Sequence, residues 1–180
     1  MACPKCAVNP FSHSFVPFGL ALSGEATLYY TAPARMTSRD DYSNLQCWTL
    51  HLDAVKGPWV WVIDCANMEL HHSITMQFAE VFANILAMEH SKHLRRIVVL
   101  NPNVWFYGVV HGLYRSLPAR LLDSIWYVRI DQDLNRMRKV LNIPSEAMEW
   151  LRITRSVNPN RRIEGPPSHD SHRRVDDHFL

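Results

Sequence analysis

Apolar stretches of two kinds alternate through the middle of the chain. Residues 59–66 (WVWVIDCA) are nearly all apolar and β-prone, and residues 95–100 (RRIVVL) and 124–130 (SIWYVRI) resemble them, as is typical of strands covered on both faces. Between these runs, residues 73–93 and 104–117 place apolar side chains at three- and four-residue steps, which predicts helices. The alternation predicts an α/β domain with a largely parallel sheet flanked by helices.

Further elements extend this pattern on both sides. They are predicted strands at residues 15–22 and 26–31, predicted helices at residues 38–55 and 131–142, and a last helical turn at residues 145–151. Residues 15–153 are therefore expected to form a single domain after an irregular N-terminus at residues 1–14. Residues 154–180 are rich in Arg, Asp, Pro and Ser, so they have too little apolar surface to offset the entropy of ordering and are expected to be a disordered tail.

The predicted helix at residues 104–117 has unusually little polar surface. Tyr107, His111 and Arg115 form a narrow polar stripe beside a broad apolar face. Gly108 and Gly112 lie inside the helix, where each costs roughly 1 kcal/mol relative to alanine. Such a helix is either a core helix packed tightly on the sheet or a mobile lid over an apolar cavity, and the pattern alone fits both interpretations.

Composition narrows the class of protein. The chain has 180 residues, of which 47% are hydrophobic, and a net charge of +2. This is enough apolar material for one core, and the charge gives no indication of nucleic-acid binding. No apolar leader opens the chain, and no window reaches the roughly 18 apolar residues of a membrane span. We expect a cytoplasmic protein, with at most peripheral contact with membranes.

Cysteine and histidine residues offer a possible metal site. Cys3 and Cys6 have the spacing of half a zinc site, but no second pair follows at a usual distance. His13, His71 and His72 could complete the site only through the fold. The sequence pattern therefore predicts no metal site.

A second group of reactive residues follows the strand at 59–66. Asp64, Cys65, His71 and His72 lie near the expected carboxyl end of that strand, where α/β proteins often bind ligands. No nucleophile elbow, phosphate loop or HExxH sequence accompanies them. Asp64 is better explained as a turn or capping acceptor, and we expect no catalytic residues, no cofactor and no enzymatic activity.

The order of these elements resembles that of the CRAL-TRIO lipid-binding domain. Four stretches carry the resemblance: WVWVIDCANM at 59–68, SITMQFAEVFANILAMEHSKHL at 73–94, RRIVVLNPNVWFYGVVHGLYRSL at 95–117 and LLDSIWYV at 121–128. They are similar in turn to the family's strand ending in aspartate, the helix before its YPERL-type turn, its strand with gate helix, and its final strand entry. Residues 133–151 (DLNRMRKVLNIPSEAMEWL) resemble the ending of the BCH-type subgroup.

The resemblance implies a gate helix at residues 104–117 that closes an apolar pocket over the sheet. The ligand would be a phospholipid or another hydrophobic small molecule, held without catalysis and either only sensed or transferred during transient membrane contact. The residues implied to line the pocket are Trp59, Trp61, Ile63, Val99, Phe106, Val109, Val110, Leu113, Leu117 and Trp126. Arg115 and His111 are the implied headgroup contacts.

The chain departs from the family at two headgroup positions. Lys92 and His93 stand where phosphatidylinositol-transfer members have Glu-Arg, and Ser124 replaces a lysine. A second interpretation therefore stays open. In it the same fold is a BCH-type protein-interaction module with a collapsed pocket, which binds a small GTPase or a second copy of itself.

Overall fold

The computed structural model describes residues 3–72, 75–114 and 117–156, except for the side chains of residues 130–133. The described residues form one sheet, whose strands are β1 (Val16–Ala21), β2 (Ala26–Thr31), β3 (Trp59–Asp64), β4 (Leu94–Leu100) and β5 (Ile125–Val128). Their order across the sheet is β1-β2-β3-β4-β5. Only β1 is antiparallel to its neighbour, and β2 to β5 are parallel. The predicted α/β class with a largely parallel sheet is confirmed.

Helices connect and cover these strands. They are α1 (Pro4–Val8), α2 (Asp41–Asp53), α3 (Met76–Ile85), α4 (Val104–Leu113), α5 (Ala119–Ser124), α6 (Ile130–Val140) and α7 (Ser145–Ser156). Leu86–His90 continues α3 as a π-helical turn. Among the described residues, no helix combines the length and the apolar character needed to cross a membrane.

The sheet is covered on both faces. The three connections between parallel strands, from β2 to β5, each move one position in the same direction across the sheet. Because such crossovers are right-handed, they place α2, α3, α4 and α5 on one face of the sheet. This face buries Trp61 and Ile63 against Trp48 of α2 and Phe82 of α3. The opposite face buries Val60, Val62 and Val98 against α6 and α7, which return across the sheet after β5.

Gly19 permits the closest approach of the returning helix. A β-bulge interrupts the pairing of β1 with β2 between Pro17 and Gly19. A Cβ atom at Gly19 would lie 2.6 Å from the Cβ of Ala147 in α7. Glycine here allows α7 to pack directly on β1. In this position α7 covers the face of the sheet opposite α2 to α5.

The N- and C-terminal segments are more regular than predicted. Pro4–Val8 is helical within the segment expected to be irregular, because Pro4 fits the first helical position. The last helix continues to Ser156, and Thr154 is fully buried, so order extends past the expected start of the tail at residue 154. The other residues of the predicted tail, 157–180, lie outside the described chain.

The predicted gate helix is shorter than expected. It begins at Val104 as predicted, because the Asn103 side chain accepts a hydrogen bond from the Phe106 amide and caps it. It ends at Leu113 rather than at residue 117. The short helix Ala119–Ser124, which was not predicted, completes the connection to β5.

Candidate functional site

An apolar cavity of about 140 Å³ lies between the sheet and helices α3, α4 and α5. Trp61 and Ile63 of β3 and Ile97 of β4 form its floor. Phe82 and Leu86 form a side wall. This is the space that the resemblance assigned to a hydrophobic ligand.

Strand register explains why the floor is apolar. Trp61 pairs with Ile97, which in turn pairs with Ile125, so the three side chains project from the same face of the sheet. The Trp61 indole Nε1 donates a 2.8 Å hydrogen bond to Thr31 Oγ1. Because this bond satisfies the polar atom of the indole, the ring faces the cavity as an apolar surface.

Helix α4 forms the roof and is weakly held. Phe106, Val109, Val110 and Leu113 face the cavity, but Leu113 is the only buried residue of α4. At its start, Asn103 also donates a 2.7 Å hydrogen bond from Nδ2 to the Met68 carbonyl oxygen. Polar contacts thus fix the N-terminus of α4, whereas few buried side chains hold the remainder of the helix on the protein.

The two glycines of α4 differ in their surroundings. A Cβ atom at Gly112 would meet Met76 Cε of α3 at 2.5 Å, so the flexible end of the partly exposed Met76 side chain lies against the backbone of α4 there. A Cβ atom at Gly108 would meet nothing within 4 Å. Gly112 is therefore contacted by one movable side chain, and packing gives no reason for Gly108.

Most of the predicted pocket residues border the cavity. Those that do are Trp61, Ile63, Phe106, Val109, Val110, Leu113 and Leu117. Trp59 and Val99 pack in the surrounding core without reaching the cavity. His111 is exposed on α4, and Arg115 lies outside the described residues.

Trp126 does not belong to the pocket. It pairs with Val98 and packs against the opposite core, with the Arg136 guanidinium carbon 5.8 Å from its ring centroid. Successive residues of a strand point to opposite faces, so Ile125 reaches the cavity and its neighbour does not. The sequence SIWYVRI does not indicate which of its two alternating sets of side chains faces the gate helix.

Sequence reasoning missed several lining residues that come from other segments. They include Thr31, Met36, Trp48, Met68, Ala79 and Ala83. Ala79 and Ala83 could have been found, because they lie on the same helical face as Phe82. Met36 and Met68 lie in loops, where no periodic signal exists.

His72 is the one titratable side chain among the described lining residues. Burial lowers its pKa, and the nearby charges of His71 and Arg39 lower it further. The imidazole is therefore neutral at pH 7. The described part of the cavity wall presents no fixed charge to a ligand.

Asp64 is a structural acceptor at the end of β3, as predicted for a turn residue. Its Oδ1 atom accepts a 3.0 Å hydrogen bond from the Ala66 amide, and its Oδ2 atom accepts a 2.8 Å bond from the Tyr30 hydroxyl. The Nε atom of Arg155 lies 2.9 Å from Oδ2. Burial and the adjacent carboxylate raise the pKa of Tyr30 well above its ordinary value. Asp64 is thus fully occupied by structural contacts.

A group of sulfur and nitrogen ligands lies at the start of the chain. The side-chain ligand atoms of Cys3, Cys6, His13 and Cys47 all lie within 4.8 Å of one another. The sequence pattern predicted no metal site here, because no second ligand pair follows Cys3 and Cys6 at a usual distance; Cys47 lies 41 positions beyond Cys6. The fold supplies the ligands that the sequence spacing lacked.

Comparison with known proteins does not assign the chain to a family. No family model matches the chain, and no curated protein is significantly similar to it.

Proposed function

We propose that this protein binds an uncharged hydrophobic molecule in the cavity between the sheet and α4, without catalysing a reaction. The observation that carries the proposal is an apolar cavity roofed by a helix with a single buried residue. Apolar burial at about 25 cal/mol per Å² would drive binding. The CRAL-TRIO resemblance supports the same role, with α4 as the gate.

The volume of the cavity limits what fits without movement. An engineered cavity of about 150 Å³ binds benzene, whereas pockets for drug-sized ligands span about 300–1,000 Å³. At about 140 Å³, the cavity accepts a group of about six carbons. A longer hydrocarbon or a lipid acyl chain requires α4 to move outward.

Outward movement of α4 has a moderate cost. Leu113 is its only fully buried side chain, but Phe106, Val109 and Val110 are half-buried, and exposing all four would cost roughly 4–8 kcal/mol at about 1.5–3 kcal/mol for each full burial. The burial of a long hydrocarbon chain would offset this cost. Ligand entry through displacement of the roof therefore agrees with the sparse burial of the helix.

Charge favours a neutral ligand over a phosphoinositide. A phosphoinositide headgroup requires several fixed cationic donors. The described lining offers only the neutral His72. We therefore expect selection for fatty alcohols, sterol-like molecules or hydrocarbon chains over anionic lipids.

Val110→Trp tests the site. The larger side chain should fill the cavity beneath α4 and weaken binding of toluene and of the uncharged fluorescent probe 1-N-phenylnaphthylamine at least about tenfold. Toluene reports on the cavity itself, and the larger 1-N-phenylnaphthylamine reports on opening of the roof. Binding would be measured by ligand-dependent thermal shift and by fluorescence titration.

Val104→Trp is the matched control, because Val104 begins the same helix and is 69% exposed. It should leave both affinities unchanged. The proposal fails if wild-type protein binds neither ligand, or if the two variants weaken binding equally.

A second candidate function is protein interaction, favoured by the outer surface of α4. Tyr107 and Tyr114 are exposed there, seven positions apart and therefore on the same side of the helix, and Tyr107 contacts the exposed Tyr127 ring at a centroid distance of 5.5 Å. Exposed aromatic groups of this kind mark interaction surfaces. A BCH-type module would use them to bind a small GTPase or a second copy of the chain.

Light scattering with the Tyr107→Ser/Tyr114→Ser variant tests self-association. The interaction function predicts a wild-type dimer that this variant dissociates. A wild-type monomer that takes up toluene would favour the ligand-binding function.

A further inference from the structure

We propose that Cys3, Cys6, His13 and Cys47 form a structural zinc site that fastens the N-terminal segment to α2. Three thiols and one imidazole are a ligand set that zinc prefers. The proposal is independent of the function proposed for the cavity.

The distances between the ligand atoms fit a tetrahedral ion. With Zn–S about 2.3 Å and Zn–N about 2.0 Å, a tetrahedral site places two sulfur atoms about 3.8 Å apart and a sulfur about 3.5 Å from the nitrogen. Cys6 Sγ lies 3.9 Å from Cys47 Sγ and 3.2 Å from His13 Nδ1. Cys3 Sγ lies 3.7 Å from the same nitrogen.

Local structure brings the first three ligands together. Cys3 is the N-cap of α1 and Cys6 lies within that helix, so the two thiols are one turn apart. His13 follows the helix and is 1% exposed. Cys47 is a buried residue of α2, on the side that faces α1.

A second set of contacts orients the imidazole. His13 Nε2 lies 3.4 Å from Ser43 Oγ, and an Nε2–H donor to this hydroxyl would leave Nδ1 free to bind metal. The Trp48 indole Nε1 donates a 2.7 Å hydrogen bond to the His13 carbonyl oxygen. The contact with Ser43 is the kind of outer contact that accompanies zinc-bound histidines, and the Trp48 bond holds the backbone of His13 in place.

The site is closed, which indicates a structural role. Four protein ligands fill a tetrahedral zinc ion, whereas catalytic zinc keeps one position for water or substrate. Cys3, His13 and Cys47 are buried, and Cys6 is half-buried. His51 Nε2, 3.4 Å from Cys6 Sγ, can donate a hydrogen bond to a metal-bound thiolate.

Fastening the N-terminus also supports the cavity wall. Trp48, which binds the backbone of His13, lies beside Cys47 on α2 and borders the cavity. A metal at this position would fix the start of the chain and the α2 wall in one unit.

Metal analysis of the full chain tests the site. Protein purified under reducing conditions and without a chelator should contain about one zinc ion per chain by elemental analysis and by native mass spectrometry. Replacement by Co²⁺ should give the visible absorption of tetrahedral thiolate coordination. A chelator should release the zinc and lower the melting temperature.

Single substitutions identify the ligands. Cys6→Ser, Cys47→Ser and His13→Asn should each abolish stoichiometric zinc. Cys65→Ser is the matched control, because Cys65 is a buried cysteine outside the cluster. His51→Gln should retain zinc, which separates a hydrogen-bond donor from a ligand.

Three results would overturn the proposal. They are less than about a tenth of an equivalent of zinc after zinc addition and dialysis, a Cys6–Cys47 disulfide in protein isolated with thiols trapped, and equal zinc loss in Cys65→Ser. Native mass spectrometry and thiol titration of wild-type protein decide the question even where a cysteine variant fails to fold.

Discussion

The Nε atom of Arg155 lies 2.9 Å from Oδ2 of Asp64, which joins the last described helix to the carboxyl end of the central strand. Asp64 is 2% exposed, and the Arg155 side chain is 15% exposed. Removing one partner of such a buried pair leaves an uncompensated charge. We therefore expect Asp64→Asn to lower the free energy of unfolding by about 3–5 kcal/mol, measured by urea denaturation.

The control for this prediction is an exposed ion pair in α7. The Nη1 atom of Arg152 lies 3.8 Å from Oε2 of Glu149, and both side chains are about half exposed. Glu149→Gln should change stability by about 0–1 kcal/mol. Equal effects of the two substitutions would show that the buried ion pair contributes no special stability.

The hydrogen bond beneath the cavity floor is expected to stabilise the fold. Thr31→Val keeps the shape of the side chain but leaves the Trp61 indole N–H without its acceptor. The expected cost is about 1–3 kcal/mol in thermal or urea unfolding. Thr49→Val is the control, because the Thr49 hydroxyl only donates to the Leu45 carbonyl within α2, and it should cost less than Thr31→Val. A larger loss in the control would contradict the prediction.

Two glycine substitutions should have opposite signs. Gly108→Ala adds a methyl group in open space within a helix and should stabilise the protein by about 1 kcal/mol. Gly19→Ala places a Cβ atom 2.6 Å from Ala147 Cβ and should destabilise it by about 1–3 kcal/mol. Melting temperatures of the two variants test the pair. Destabilisation by Gly108→Ala would show that α4 needs flexibility or an unseen contact at that position.

Cys65 should be chemically inert in the folded protein. Burial, together with the charge of Asp64, raises the pKa of its thiol to about 12. Because the thiolate is the nucleophile, alkylation of Cys65 by iodoacetamide at pH 8 should be roughly a thousandfold slower than that of an exposed cysteine. Peptide mass spectrometry after timed quenching measures the rate. Raising the pH toward 12 should increase it, and addition of urea should remove the protection. Rapid alkylation without urea would contradict the burial of this side chain.

Hydrophobic periodicity was sufficient to predict the main elements. The runs at 59–66 and 95–100 each correspond to a buried strand, and their β-prone side chains project alternately to the two covered faces of the sheet. The start of α4 could be predicted because Asn103 is a local capping residue. Apolar strand runs and helix caps depend only on residues a few positions apart, so the local sequence is sufficient to predict them.

The faces of short or uniformly apolar strands could not be predicted. Trp126 was assigned to the pocket, yet its pairing with Val98 places it on the opposite core. In SIWYVRI, both alternate sets are apolar, so no periodic signal distinguishes the two faces. Only pairing with β4 decides which residues face the cavity.

The sequence by itself determined the α/β class, the order of the main strands and helices, and the apolar character of the segment that becomes α4. These follow from local propensity and periodicity. Tertiary structure alone decided the volume of the cavity, the Asp64–Arg155 pair and the meeting of Cys47 with Cys3, Cys6 and His13. Each of these depends on contacts between residues distant in the chain, and the packing of whole helices on the sheet sets their distances.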